Sequence, residues 1–128
     1  MIVVDTSVAV AALMGHGPAR AALSGRRLLA PHVIDAEVAH ALRGLVLGAK
    51  VSMSQGEALI RTWLQLQVDR LPMAPLLPRV WQLRDILTAD DALFVAAAEA
   101  HDVPLVTADR RLASASGPRC RIEVIPSA

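Results

Sequence analysis

The chain has 128 residues, a formal net charge of +1, an apolar share of 54% and a single cysteine, Cys120. That length suits one domain over residues 1–128, burying roughly 65–70% of the surface its unfolded chain would expose. One cysteine excludes an internal disulfide and a cysteine metal site, no apolar run approaches the ~18 residues of a membrane helix, and the charge does not by itself imply a nucleic-acid partner.

The first element is an apolar run, Ile2-Val3-Val4, that ends in Asp5 and passes into Thr6-Ser7. It reads as a buried strand delivering one carboxylate to its C-terminal end, which is where open parallel sheets bind ligands. No basic leader precedes it and Asp5 interrupts the run, so a secretory signal is not expected and the cytoplasm is. Residues 7–14 are apolar at nearly every position, as in a helix buried on most sides. Gly15-His16-Gly17-Pro18 breaks that helix, a second short one fits 19–23, and 26–30 forms a brief strand before Pro31.

From His32, apolar Ile34, Val38, Ala41, Leu42 and Leu45 recur in steps of three and four, which predicts an amphipathic helix ending near Gly48. Ser54 and Glu57 match a capping box for a following helix that runs to about Val68, with Leu59, Trp63 and Leu66 in its stripe. A short strand is expected at 71–73, and Pro75 opens a helix containing Leu76, Val80, Leu83 and Leu87.

Thr88-Ala89-Asp90-Asp91 leads into an almost wholly apolar segment, 92–98, predicted as a central buried helix that stops near His101-Asp102. Residues 103–107 form the next strand, with Pro104 near its start where a missing donor is tolerated. Asp109 opens a short helix through Leu112, Ser116-Gly117-Pro118 ends it, and 121–125 closes the chain as a strand. Strands alternating with helices predict an α/β fold of three layers around a parallel sheet.

Two strands end in similar chemistry, Val4-Asp5-Thr6 and Val106-Thr107-Ala108-Asp109, and neighbouring parallel strands would bring Asp5 and Asp109 to one edge. Asp91 reaches that edge only if its helix docks across it. On the helix after His32, Glu37 and Asp35 lie on opposite flanks of the apolar stripe, and the helical wheel does not choose between them. Each acid also has a plain structural role open to it: Asp5 and Asp109 as N-caps, Asp91 in a first turn favoured by the helix dipole, Glu37 as a solvated flank.

Charge decides what a cluster of such acids requires. Two carboxylates ~4 Å apart repel by about 4 kcal/mol at an effective dielectric of about 20, so several together need protons or cations. A hard, oxygen-liganded ion such as Mg²⁺ or Mn²⁺ is the natural counter-charge, and it can activate water against a phosphodiester. Twelve of the thirteen basic residues are Arg, which suits phosphate but also follows from GC-rich codon usage. Arg110 and Arg111 beside Asp109 fit either a phosphate contact or a solvated helix face. The four histidines lack a ligand spacing, and Trp63, Trp81 and Phe94 are too few for a base-stacking platform.

Asp5-Thr6-Ser7, Glu37 in a helix after Pro31, Asp91-Ala92-Leu93 opening an Ala-rich helix, and Val106-Thr107-Ala108-Asp109-Arg110-Arg111-Leu112 together resemble a PIN domain. The likeness is nearest to VapC ribonuclease toxins of bacterial type II toxin–antitoxin pairs, and it spans essentially the whole chain. It implies a three-layer α/β/α fold with a central, mainly parallel five-stranded sheet and four acids converging on a pocket. It also implies that Asp5 and Asp91 bind Mg²⁺, with Mn²⁺ as substitute, that Asp109 assists, and that Glu37 orients or activates water. Thr6 and Thr107 would support these carboxylates. The implied partners are an RNA substrate, a cognate antitoxin and a second copy in a homodimer, with no membrane. Asp90 departs from the family pattern, which often has an aromatic or neutral residue there, and it adds charge beside the site.

A dehalogenase-type phosphatase would want Asp-x-Asp at the first strand, where this chain has Ser7. A receiver domain would want a Lys at a late strand end, and Lys50 lies elsewhere. The alternatives that stay open are an RNA-processing nuclease outside a toxin–antitoxin pair and a catalytically silent partner-binding module.

Overall fold

A computed structural model of the chain describes residues 1–127. Five strands, β1 (Ile2–Val4), β2 (Leu28–Pro31), β3 (Val68–Leu71), β4 (Leu105–Thr107) and β5 (Ile122–Val124), form one sheet in the order β3-β2-β1-β4-β5. Every pairing is parallel. β1 and β4 are central and completely buried, which is why they read as unbroken apolar runs without alternation.

The connections are helical: α1 (Thr6–Leu13) and α2 (Gly17–Leu23) join β1 to β2, while α3 (Val33–Leu47) and α4 (Met53–Gln65) join β2 to β3. A 3₁₀ turn at Ala74–Leu76, α5 (Leu77–Gln82) and α6 (Ala89–His101) then lead to β4, and α7 (Arg110–Ser114) leads to β5. Right-handed crossovers put α1 to α4 on one face and α5 to α7 on the other. α1 packs against α2, α3 and α4, whereas α6 lies across β1, β2 and β4 with Ala92–Ala98 all buried. Small side chains at 92 and 96–98 let that helix sit close on the sheet. Among the described residues, no helix is long and apolar enough to cross a membrane.

Strand order reverses direction between β1 and β4. The chain leaves β1 toward one face through α1 and leaves β4 toward the other through α7, so a crevice opens at their carboxyl ends. Val4 is in register with Val106, which places Asp5 and Thr107 side by side at the mouth of that crevice.

Several boundaries depart from the sequence expectation. The capping box of α4 is Ser52 with Gln55, not Ser54 with Glu57: Ser52 Oγ accepts from the Gln55 amide at 3.1 Å, and Gln55 Oε1 accepts from the Ser52 amide at 2.7 Å. The earlier start turns Gly56 onto α3, where a Cβ would lie 2.7 Å from Val46 Cγ2, and puts Trp63 two turns further along the same buried face. That helix ends at Gln65, and Val68–Leu71 is the strand expected at 71–73. Pro31 lies inside β2, paired with Leu71, rather than beyond it. α5 closes at Gln82, so Leu83 and Leu87 fall in the turns that carry the chain to α6.

Candidate active site

The crevice collects acids from four elements. Asp5 caps α1, and its two oxygens are held separately. Oδ1 accepts from Ser7 Oγ at 2.6 Å and from the Val8 amide at 3.1 Å, while Oδ2 accepts from Thr107 Oγ1. Ser7 Oγ accepts in turn from the Ala108 amide at 3.0 Å, and Thr107 Oγ1 from the Asp109 amide at 3.0 Å. The ends of β1 and β4 are thus stitched together by hydroxyl groups, and Asp5 has little freedom to turn. Burial pushes its carboxyl above the usual range despite these donors, and the charge of Asp91 adds to the push.

Glu37 enters from α3. The Thr6 hydroxyl donates to its Oε1 at 2.6 Å, across the junction of α1 and α3. Burial raises the Glu37 carboxyl, Thr6 opposes this, and the nearby Asp90 and Asp91 raise it further. Asp35, two positions earlier and on the other flank, faces away from the crevice. Its carboxylate takes both Nε and Nη2 of Arg70 at 2.8 Å and the Trp63 indole at 2.8 Å, and the Arg70 bonds hold it below its ordinary range. The two acids that helical periodicity left equivalent are separated by their partners.

Asp91 stands in the first turn of α6, capped by Thr88, whose Oγ1 accepts from the Asp91 amide at 3.3 Å. It reaches the crevice because α6 turns through 102–104 into β4 and so runs antiparallel to it, returning its first turn to the carboxyl edge. Burial raises the Asp91 carboxyl; Thr88 and Arg111 oppose this, and Asp109 and Asp90 reinforce it. Asp109 caps α7, and Arg111 holds it below the ordinary range, donating from Nε to Oδ1 at 3.3 Å and from Nη2 to Oδ2 at 3.2 Å.

Three of the four acids are therefore pushed toward protonation, and Arg111, whose side chain is 91% exposed, supplies a positive charge at their edge. As the acids stand, no three Asp, Glu, His or Cys side chains among the described residues are drawn close enough to close a shell around an ion. The donor chemistry nevertheless fits a hard divalent cation: all the donors are carboxylate oxygens, burial and mutual repulsion make a positive guest favourable, and Asp5 Oδ2 accepts from one donor alone. Sequence reasoning left Ser7 without a role. The signal was a hydroxyl two residues after a strand-end acid at a helix start, a common local bond, whereas its tie to Ala108 depends on β4 lying alongside.

The chain is similar to known proteins over nearly its whole length. The family described as PIN domain matches residues 2–118. The chain is 43% identical over 126 residues to ribonuclease VapC9 of Mycobacterium tuberculosis, covering 98% of this chain and 99% of that protein. It is 45% identical over 130 residues to ribonuclease VapC1 of the same organism, covering 96% of each. Among solved structures, VapBC2 from Rickettsia felis bound to a DNA fragment from its promoter superposes with a TM-score of 0.73 at 18% identity, over 98% of this chain and 99% of that one.

Proposed function

The chain belongs to the PIN-domain family, among the VapC ribonucleases, and from that premise we propose that it is a metal-dependent endoribonuclease toxin restrained by a cognate antitoxin. The observation that carries the reading is the convergence of Asp5, Glu37, Asp91 and Asp109 on the β1/β4 crevice, with burial and mutual charge raising the first three.

In this reading Asp5, Asp91 and Asp109 hold Mg²⁺, with Mn²⁺ as a substitute. When bound, the ion supplies Lewis acidity toward a phosphodiester oxygen and lowers the pKa of bound water. Glu37 accepts the proton of the attacking water; a carboxylate with a raised pKa is a better base at working pH than an ordinary one. Thr6 anchors that carboxylate through Oε1. Ser7, Val8 and Thr107 keep Asp5 in one rotamer, so its ligating oxygen is placed before substrate arrives. Arg111 has to swing between Asp109 and a substrate phosphate, and its exposure leaves it free to do so.

The proposed partners are RNA, a small antitoxin with a DNA-binding segment, and a second copy of the chain, acting in the cytoplasm where RNA is. Incubating the purified protein with total RNA, with and without Mg²⁺ or Mn²⁺, tests the reaction. Discrete metal-dependent cleavage products are expected; no cleavage of any RNA in either metal overturns the reading. An adjacent reading frame for a small DNA-binding protein is expected, and its absence would leave an RNA-processing nuclease.

A further inference from the structure

The acids of the crevice are held in two different ways. Asp5 accepts from neutral donors fixed at the start of α1 and the end of β4, namely Ser7 Oγ, the Val8 amide and Thr107 Oγ1. Asp109 is held by a charged side chain. Arg111 donates from its amide and from Nε to Oδ1, at 2.9 and 3.3 Å, and from Nη2 to Oδ2 at 3.2 Å. Both carboxylate oxygens are thus engaged by one residue. The same guanidinium borders Asp91: all three side chains line a cavity of about 250 Å³, and Arg111 favours the charged form of Asp91.

Among the described residues, nothing besides Asp109 holds the Arg111 side chain in place. Arg26, Arg70 and Arg79 also fork onto carboxylates, those of Glu123, Asp35 and Glu99. Each of those three donates in addition to a backbone carbonyl, of Ala22 at 3.3 Å, Val68 at 3.0 Å and Gly117 at 2.8 Å respectively. Arg111 has no such second acceptor and its side chain is 91% exposed. An exposed ion pair favours its closed form by a factor of about two to five, so it yields to a stronger competitor for the same oxygens. A divalent cation is such a competitor, because it carries twice the charge of the guanidinium and repels it. The guanidinium then needs another anion, and a phosphate presents paired oxygens that match its fork.

We propose that Arg111 is a phosphate clamp released by metal: Asp109 keeps its guanidinium closed, and Arg111 turns to the RNA backbone only when a divalent cation takes that carboxylate. The inference rests on the ribonuclease reading and adds a regulation to it, an order of binding in which the metal-free protein grips RNA weakly. Arg111 competes with the ion for Asp109 and cooperates with it toward RNA. Removing Arg111 therefore affects the two ligands in opposite directions.

The test uses the Glu37→Gln protein, which keeps the three proposed ion ligands and lacks the proposed base, so that RNA is bound and not cut. Calorimetry reads Mn²⁺ affinity, and fluorescence anisotropy of a fluorescein-labelled RNA decamer reads RNA affinity in Mn²⁺ and in EDTA. Adding Arg111→Gln should tighten Mn²⁺ binding about twofold to fivefold. It should weaken RNA binding about tenfold in Mn²⁺ and leave RNA binding in EDTA unchanged. Adding Arg110→Gln instead removes an equal charge that forms no ion pair among the described residues, and it should leave Mn²⁺ affinity unchanged. Both positions are exposed, so neither change threatens folding. The proposal is overturned by an RNA affinity loss equal in Mn²⁺ and EDTA, by no loss in either, or by Mn²⁺ binding that Arg111→Gln tightens no more than Arg110→Gln does. Metal-dependent RNA cleavage by the wild type still stands after any of these results. Failure of the wild type to cleave any RNA overturns the ribonuclease reading and this inference together.

Discussion

Thr107, fully buried at the end of β4, donates its hydroxyl hydrogen to Oδ2 of Asp5 and accepts the amide hydrogen of Asp109 with the same oxygen. One side chain thus sets the positions of two acids more than a hundred residues apart, using both hydrogen-bonding capacities of a hydroxyl. Thr107→Val preserves shape and removes both bonds. Its expected effect is a loss of about 1–2 kcal/mol in stability, from the unsatisfied Asp109 amide, and a drop of about 10–100-fold in metal affinity or turnover. Thr107→Ser should restore most of both, which calorimetric metal titration and urea unfolding would measure.

Metal should stabilise the fold through the same acids. At a concentration about a hundred times its dissociation constant, a bound ion adds about 2.7 kcal/mol, so the melting temperature should rise with Mg²⁺ or Mn²⁺. Asp5→Asn should abolish that rise. Without metal, the variant should melt close to wild type at neutral pH, because burial and the charge of Asp91 disfavour the carboxylate while Ser7, Thr107 and Val8 favour it. A metal-induced rise of equal size in both proteins would show that ions bind elsewhere.

Acid sensitivity should centre on Glu99. Burial alone would raise its carboxyl, but bonds from Arg79 at 2.6 and 3.2 Å and from the Arg119 amide at 2.7 Å outweigh this and hold it below the ordinary range. A carboxyl depressed in the folded state contributes stability above its unfolded pKa of about 4.3, and that contribution disappears as pH falls through the folded value. Glu99→Gln should therefore cost about 2 kcal/mol at neutral pH, with the gap to wild type narrowing below about pH 4. Urea unfolding across that range reads the gap directly.

Gly117→Ala introduces a side chain at positive φ and against Ile86 and Leu83. The strain should lower stability by about 1–2 kcal/mol. Urea unfolding of the variant against wild type would measure the loss.

The strand-end acids were legible because central parallel strands are short, apolar and bounded, and an acid ending such a run stands out. Asp5 and Asp109 needed no tertiary information beyond the adjacency of β1 and β4. Glu37 and Asp35 were indistinguishable from periodicity, since both flank the same stripe. What separates them is Thr6 at one end and Arg70 with Trp63 at the other, and both contacts cross 28 residues or more. The α4 cap failed for a related reason. Ser52-x-x-Gln55 and Ser54-x-x-Glu57 satisfy the same local rule, and the choice between them follows from the close approach of Gly56 to Val46 on α3. Asp91 depends on its helix docking across the carboxyl edge, which needs the packing of α6 on β1, β2 and β4 and is not written in local pattern. A helix that precedes an antiparallel-packed strand reaches it equally well.

The most direct measurement of the central claim compares RNA cleavage rates of wild type and Asp5→Asn in Mg²⁺, with both proteins shown folded by circular dichroism. Metal-dependent cleavage by the wild type, reduced about a hundredfold or more in Asp5→Asn, is the predicted result. Equal rates in the two proteins, or cleavage by the wild type undiminished when the metal is chelated, would contradict it.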